Sequence, residues 1–355
     1  MTVLSNTLYD VAIIGAGIAG TYCANVLQQA GYQACLLEKG RGTGGRASSR
    51  RLTVQEGEVQ QSCDLGAPFF NVEEGQLAND IQQWLADGVI EPWPAANKPN
   101  SLAYTGVPSM SALTRYLSQH IDTFTQQRVS HIDRTESIWS LRNDTYKTLI
   151  KAKRVIITAP AVQSAQLLTS ADAPAPFLQQ VHLASHQCRA QWAVVVSDKN
   201  SSSEYSFKNL PSLLEQKHPL LAKVICDSAK PARAASVTRW VLQADIDWSE
   251  AHKDDDAESV GQAMLAAFKS IVLAQTGESP ELAIATPHLW RLGRHQANCN
   301  ALDNIEEQQA SAMLWHKESG LGVASDWLSA GTVVSAILSA QQLCQGIITD
   351  DDRAR

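Results

Sequence analysis

Apolar runs and apolar–polar alternations divide the chain into recognisable elements. Val11, Ala12, Ile13 and Ile14 form a run too short for a core helix, which predicts a strand buried on both faces. A small-residue stretch over 18–30, closed by Gly31, predicts a helix, and the apolar run 34–37 predicts a second strand. Leu77, Ile81, Trp84 and Leu85 recur at helical spacing within 76–86. Residues 110–121 predict a further helix with Ser109 as its N-cap. Between Phe124 and Ile157 the pattern changes to alternation with turn residues, which predicts strands and a hairpin around Arg142, Asn143 and Asp144. A buried strand ending in Val155, Ile156 and Ile157 then leads into a helix over 161–168. Pro174 and Pro176 read as a boundary. Beyond them come strands over 188–196, 221–226 and 236–242. A helix over 257–274 follows, with Val260, Met264, Leu265, Phe268 and Val272 on its apolar stripe, and a last helix covers 331–343.

Strand, helix and strand in close succession predict an α/β fold, and 355 residues suffice for two domains with substantial cores. With 29 basic and 36 acidic residues the net charge is −7, which argues against a general nucleic-acid surface. Part of the acid is local: 254–256 reads as a solvated loop and 350–352 as a terminal tail. The seven cysteines are odd in number and scattered without metal-ligand spacing, so a reduced, cytoplasmic protein with no structural metal is expected. The N-terminus lacks the basic region of a signal peptide, and the chain has no apolar window long enough for a membrane span.

The chemistry begins after the first strand. Gly15, Gly17 and Gly20 stand at G-x-G-x-x-G spacing, where a tight turn, close approach of a pyrophosphate and close helix packing each need a missing Cβ. The N–H groups opening the next helix face phosphate charge, and Glu38 follows the second strand where a ribose diol would be met. Directly beyond it, residues 40–46 form a glycine-rich loop with Arg41 and Arg46, suited to clamping a pyrophosphate along a fully buried cofactor.

This stretch resembles the FAD-binding signature of the flavin amine-oxidase superfamily, in which ExxxxxGGR follows the ribose acid. KGRGTGGRASSRR is similar to the KGRGxGGRxxxRR of its bacterial renalase branch. Further segments carry the resemblance across about 9–345: residues 62–70 (FDxGAQYF in the family, with Pro68 in place of glutamine), 109–117 (GMSALxRxLA) and 155–161 (AxPA). Residues 227–233 correspond to a family segment containing SSKPGR, 240–244 to WVLHA, 288–293 to HxWxYA and 321–335 to LxxAGDW…G. Asp227, Gln243 and Leu292 replace Asn, His and an aromatic. Ser325, Ala330, Thr332 and Ser335 stand where Gly, Gly, Arg and Gly are usual. The resemblance implies a Rossmann-type FAD-binding domain of the GR2/p-hydroxybenzoate-hydroxylase-like kind over 1–72, 101–175 and 284–350. It also implies an α+β substrate domain on a mixed or antiparallel sheet over 73–100 and 176–283, with 351–355 a polar tail. It implies non-covalent FAD held by Gly15, Gly17, Ile18, Ala19, Gly20, Glu38, Lys39, Gly44, Gly45, Arg46, Gly66, Ala67, Pro68, Val129, Ser325, Asp326, Trp327 and Val333.

Flavin chemistry needs placement more than side-chain reactivity, so no catalytic triad is expected. His288, Trp290, Gln243, Trp240 and Trp327 are candidates to line the pocket. A tryptophan in an apolar strand is more often core than cage, however, and His288 is equally placed to cap a loop. Asp64 reads as a turn residue or part of the site, and Lys230 or Arg233 as exposed groups that meet substrate phosphates or solvent. The renalase resemblance implies oxidation of 2- and 6-dihydronicotinamide forms of NAD(P)H to NAD(P)+, with dioxygen reduced to hydrogen peroxide. The alternatives are a flavin amine oxidase or desaturase acting on another small molecule, and a flavin-binding protein without turnover. Partners are then a small-molecule substrate and dioxygen, with no nucleic acid or membrane, in a monomer or weak homodimer.

Overall fold

The computed structural model describes residues 7–51, 62–198, 210–215, 218–233, 238–277, 281–285, 287–296 and 312–353. The chain forms two compact units, one of residues 1–45, 114–188 and 295–355, the other of 46–113 and 189–294.

The first unit is built on an eight-stranded sheet. Leu8–Ile14 pairs in parallel with Ala34–Leu37 on one side and with Thr148–Ile157 on the other. Asp122–Phe124 and Leu321–Ala324 extend the parallel part outward, and Met313–His316 closes one edge antiparallel. The hairpin His131–Thr135 and Ile138–Arg142 adds to the long strand Thr148–Ile157. Pairing of Ile14 with Leu37 and Ile157, and of Ile157 with Val323, brings the carboxyl ends of four parallel strands to one edge, the edge where ligands bind in open α/β sheets. Strands buried on both faces have no polar side to show, which is why they read as continuous apolar runs.

The second unit holds a six-stranded sheet in which Leu213–Glu215, Leu221–Cys226, Arg239–Ala244 and Cys188–Asp198 follow one another antiparallel. Leu282–Ile284 and His288–His295 both pair with Cys188–Asp198. The helix Ala257–Thr276 covers one face through Met264, Phe268 and Val272, packed with Trp192, Val194, Trp240 and Leu242. The opposite face, carrying Ala193, Val195, Ile225 and Val241, packs against Cys63, Leu65, Phe69 and Trp93. A three-stranded sheet of Phe70–Glu73, Ser101–Gly106 and Ile90–Pro92 lies in the same unit.

Several sequence expectations change. Pro174 and Pro176 do not end a domain. They open the helix Ala175–Ser185, because the first helical turn tolerates proline, and this helix packs in the first unit's core. The helix Ser111–Leu117 stops short of the expected 121, while Leu77 adopts a left-handed φ of 49° and the helix after it starts at Ala78. Residues 46–72 and 101–113 group with the second unit, since Phe70–Glu73 pairs with Ser101–Gly106 and Asp64 bonds Lys230. Asp350 to Asp352 are no tail: Val333–Asp352 is one helix, and Asp351 takes a bidentate contact from Arg154 at 2.6 and 2.9 Å and a hydrogen bond from the Tyr32 hydroxyl. Asp256, in the other acidic run, caps the helix Ala257–Thr276 by accepting from the Ser259 N–H. Residues 236 and 237, the start of an expected strand, and Thr286 lie outside the described residues.

Candidate functional site

In the first unit the site is made almost wholly of main chain. The strand Leu8–Ile14 ends at Gly15, whose φ of 106° admits only glycine comfortably. Thr158 Oγ1 donates to the Ile14 and Gly15 carbonyls at 3.0 and 3.1 Å, and the Gly15 N–H donates to the Leu37 carbonyl at 2.9 Å. A Cβ on Gly20 would lie 1.9 Å from the Gly15 carbonyl oxygen, so only glycine lets the helix Ile18–Gln29 close on the turn. Gly17 behaves differently: its φ of −79° suits any residue and a Cβ there meets nothing within 4 Å. A second loop lies against it. The Gly44 N–H donates to the Ala16 carbonyl at 2.8 Å, and a Cβ at Gly45 would sit 3.3 Å from the Gly17 Cα. Gly17 offers the helix no side-chain cap, so the first-turn N–H groups face this open cradle.

Glu38 borders it, with Oε2 accepting from the Ala16 N–H at 2.9 Å and Oε1 from the Gly40 N–H at 2.6 Å. Each oxygen keeps a lone pair for a further donor. The open space at Gly17, the uncapped helix and the oriented carboxylate fit the pyrophosphate and ribose of a dinucleotide. Ile18 and Ala19 are buried in the first helical turn, Lys39 is exposed beside Glu38, and Val129 packs its side chain into the sheet core.

At the same sheet edge, Ser325 Oγ and the Trp327 indole N–H both donate to the Ala159 carbonyl, at 3.5 and 3.0 Å. Trp327 is 4% exposed in the core, so it braces the strand ends and has no free face for ring stacking. Ser325 also holds Asp326, donating to Oδ1 at 3.1 Å. Thr332 and Ser335 form a reciprocal capping box at the start of Val333–Asp352, which gives these two departures from the family pattern a structural role.

The second unit builds its site from side chains. Gly66 carries little freedom: a Cβ would lie 1.9 Å from the Arg46 carbonyl oxygen and 3.3 Å from Trp290 Cζ2. The Ala67 N–H donates to that same Arg46 carbonyl at 2.9 Å, and Pro68, without an N–H, is buried behind it. His288 and Trp290, two residues apart on one face of their strand, meet edge to face with centroids 4.5 Å apart. Both are half-buried, and among the described residues the buried Trp290 Nε1–H has no hydrogen-bond partner. Burial lowers the His288 pKa and the Arg50 charge lowers it further, so the imidazole is neutral at physiological pH.

Two expected pocket residues are placed otherwise. Trp240 is 1% exposed and packs on Phe268 beneath the helix, because positions 240 and 243 of a strand point to opposite faces. Gln243 does lie on the Gly66 side, but it is fully buried. Its Nε2 donates to the Gly66 and Leu65 carbonyls at 2.6 and 3.3 Å, and its Oε1 accepts from Arg294 at 3.3 Å. Gln243 is therefore a backbone clamp. Arg294 and Gln191, joined at 2.8 Å behind it, were not legible in the sequence.

Asp64 is neither a turn residue nor exposed. Its Oδ1 accepts from Ser49 Oγ at 2.6 Å and the Met110 N–H at 3.0 Å, and its Oδ2 from Lys230 at 3.0 Å and Arg233 at 2.6 Å. Lys230 also donates to Asp227 at 2.7 Å. The Lys230 and Arg233 side chains are 0% and 5% exposed, so neither is a free surface cation. Burial pushes the Asp64 carboxyl up, yet Lys230 and Arg233 outweigh it and hold its pKa below the ordinary value. Lys230 is raised by Asp227 and Asp64 against its own burial.

Among the described residues no group of His, Cys, Asp and Glu could hold a metal ion, and no helix is long and apolar enough to cross a membrane. A family model for an NAD(P)-binding Rossmann-like domain matches residues 13–84. Vinyl phenol reductase of Lactiplantibacillus plantarum is 30% identical over 123 residues, a match spanning 32% of this chain and 24% of that relative's length. Among solved structures, putrescine oxidase bound to putrescine is similar with a TM-score of 0.66 at 12% identity, covering 97% of this chain and 99% of the other. Cyclohexylamine oxidase from Brevibacterium oxydans is similar with a TM-score of 0.63 at 13% identity, covering 98% and 100%. The chain has the flavin amine-oxidase fold, with a Rossmann-like dinucleotide-binding domain.

Proposed function

We propose that this protein is an FAD-dependent oxidoreductase of the renalase type. It would oxidise 2- and 6-dihydronicotinamide forms of NAD(P)H to NAD(P)+, consuming one proton and one dioxygen and releasing hydrogen peroxide. The observation that carries the cofactor part is the paired-glycine cradle, where Gly17 and Gly45 leave room for a pyrophosphate and Glu38 waits at the ribose position. Bound FAD supplies the hydride acceptor.

The chain's own residues bind, orient and exclude water. Gly15, Gly17, Gly44, Gly45 and the N–H groups of Ile18 and Ala19 hold the pyrophosphate. Ser325, Asp326 and the N-terminal end of Val333–Asp352 serve the remaining cofactor. Neutral His288 and the unpaired Trp290 N–H hold the carboxamide of the donor ring. A dihydropyridine is already a hydride donor, so no side chain has to remove a proton, and a neutral imidazole suffices.

A second reading, oxidation of an amine, is favoured by the names of the whole-chain structural neighbours, putrescine oxidase and cyclohexylamine oxidase. One titration separates the two. Purified protein is expected to show a flavin absorption band that bleaches on anaerobic addition of mixed dihydronicotinamide isomers and returns in air with release of peroxide. Bleaching by putrescine or cyclohexylamine alone would transfer the assignment to amines. A protein that cannot be loaded with FAD would remove both.

A further inference from the structure

Trp290 stands inside a closed circuit of contacts, every member of which belongs to the second unit. The circuit starts at Gly293. A Cβ there would lie 2.8 Å from the Trp290 Cβ, 3.0 Å from the Trp290 carbonyl oxygen and 3.4 Å from the Gln191 Cβ. Residues three apart in a straight strand stand about 10 Å apart. The strand His288–His295 is therefore bent sharply between Trp290 and Gly293, and only glycine leaves room for the bend.

Arg294, the next residue, ties the bend down. Its Nε donates to Gln191 Oε1 at 2.8 Å and its Nη2 to Gln243 Oε1 at 3.3 Å. Both glutamines are buried, and each spends its amide N–H groups on main chain: Gln191 on the Ala244 carbonyl at 3.0 Å, Gln243 on the Leu65 and Gly66 carbonyls. Gly66 closes the circuit, since a Cβ on it would stand 3.3 Å from Trp290 Cζ2. Cζ2 lies on the N–H edge of the indole, so the edge that Gly66 supports carries the Nε1–H, which among the described residues has no partner. A buried donor without a protein partner costs stability, whereas a bound acceptor would satisfy it.

We infer that Arg294 is a positioning residue of the ligand site. It fixes the Trp290 indole by two routes, through the bend at Gly293 and through Gln243 and Gly66, and does not itself meet the ligand. That the ligand is a dihydronicotinamide ring rests on the function proposed above; the placing of the indole does not.

The first test is fluorine NMR of protein carrying fluorotryptophan, with the Trp290 line assigned from its loss in Trp290→Phe. In Arg294→Met, which keeps the apolar stem, that line should shift or split while the line of Trp139, in the first unit, stays in place. Arg294→Lys, which restores a donor, should return the Trp290 line part of the way. An unmoved Trp290 line overturns the proposal, and so does movement of both lines together, which would make Arg294 a structural residue only. Should Arg294→Met not fold, Gln191→Ala removes one acceptor but keeps the Cβ beside Gly293, and is held to the same two outcomes.

The second test is a double-mutant cycle in the oxidation of a dihydronicotinamide nucleotide. Losing one ligand hydrogen bond raises KM about tenfold, so Trp290→Phe and Arg294→Met should each do so with kcat within about twofold. The double variant should be no worse than Trp290→Phe, because Arg294 acts through the indole; multiplied effects would overturn that. A Trp290 line that moves with Arg294→Met in a protein whose flavin no dihydronicotinamide reduces would keep the positioning role and discard the oxidase reading.

Discussion

The two units make their sites from different material. In the first, Gly15, Gly17, Gly20, Gly44 and Gly45 leave a space bounded by peptide N–H groups, and Glu38 is the one charged side chain set to face a ribose. In the second, two carboxylates, two cations and a glutamine come from residues 64, 227, 230, 233 and 243, far apart along the chain. A main-chain site tolerates no added atoms where the ligand goes, yet has little to lose electrostatically. A site of buried charges is the reverse: each group depends on its partner, and removing one leaves another uncompensated.

The sharpest test of that contrast is Gly17→Val. Because its φ is ordinary and a Cβ there meets nothing within 4 Å, the variant should fold with wild-type circular dichroism and melting temperature, yet purify without the 450 nm flavin band. Full flavin retention would show that the cradle is not a cofactor site. Gly45→Asp should lose flavin as well, by placing a carboxylate beside the Gly17 backbone.

Lys230→Met should do the opposite, lowering stability by about 3–5 kcal/mol in urea denaturation because Asp64 and Asp227 then share Arg233. The same cluster sets a pH window. Asp64 is depressed in the fold, so its contribution is complete above the ordinary carboxylate pKa of about 4 and is lost as pH falls through the lower folded value. Lys230 is raised, so its contribution is complete below about 10.4 and is lost as pH rises through the folded value. Melting temperature measured between these limits should be flat as far as this cluster decides it, and should fall outside them. A flat profile down to pH 2 would contradict the coupling.

Gln243→Met should cost about 1–3 kcal/mol, since it strips the Leu65 and Gly66 carbonyls of their donor. The smallest effect has the other sign. Ala232 holds a left-handed φ of 53° between Lys230 and Arg233, where the related segment SSKPGR has glycine. Ala232→Gly should stabilise by roughly 0.5–1 kcal/mol, read as a higher urea midpoint. A loss of stability there would mean that the strain is absent.

Much of the first unit was legible because its signals are local. The strand at 34–37 falls where the apolar run put it, the helix after Gly17 runs to Gln29 against an expected 30, and Gly20 meets Gly15 at the distance that excludes any larger residue. Prolines 174 and 176 misled because proline breaks a helix in its interior yet starts one in its first turn, and only packing of Ala175–Ser185 decides between these. The second unit was legible as strands but not as a site. Trp240 and Gln243 belong to one predicted strand, and a strand has two faces. Asp64 and Lys230 are separated by 166 residues, and neither reads as buried from its own neighbourhood.

By itself the sequence determined the Rossmann start, the glycine cradle, the place of Glu38 and the alternation of strands and helices, because each depends on backbone geometry within some thirty residues. The tertiary structure alone decided which side chains face inward and which charges are neutralised. It turned Lys230 and Arg233 into partners of Asp64 and Asp227 and made Gln243 a clamp on Gly66. The reason is physical: a buried charge is defined by its surroundings, and those surroundings come from distant parts of the chain.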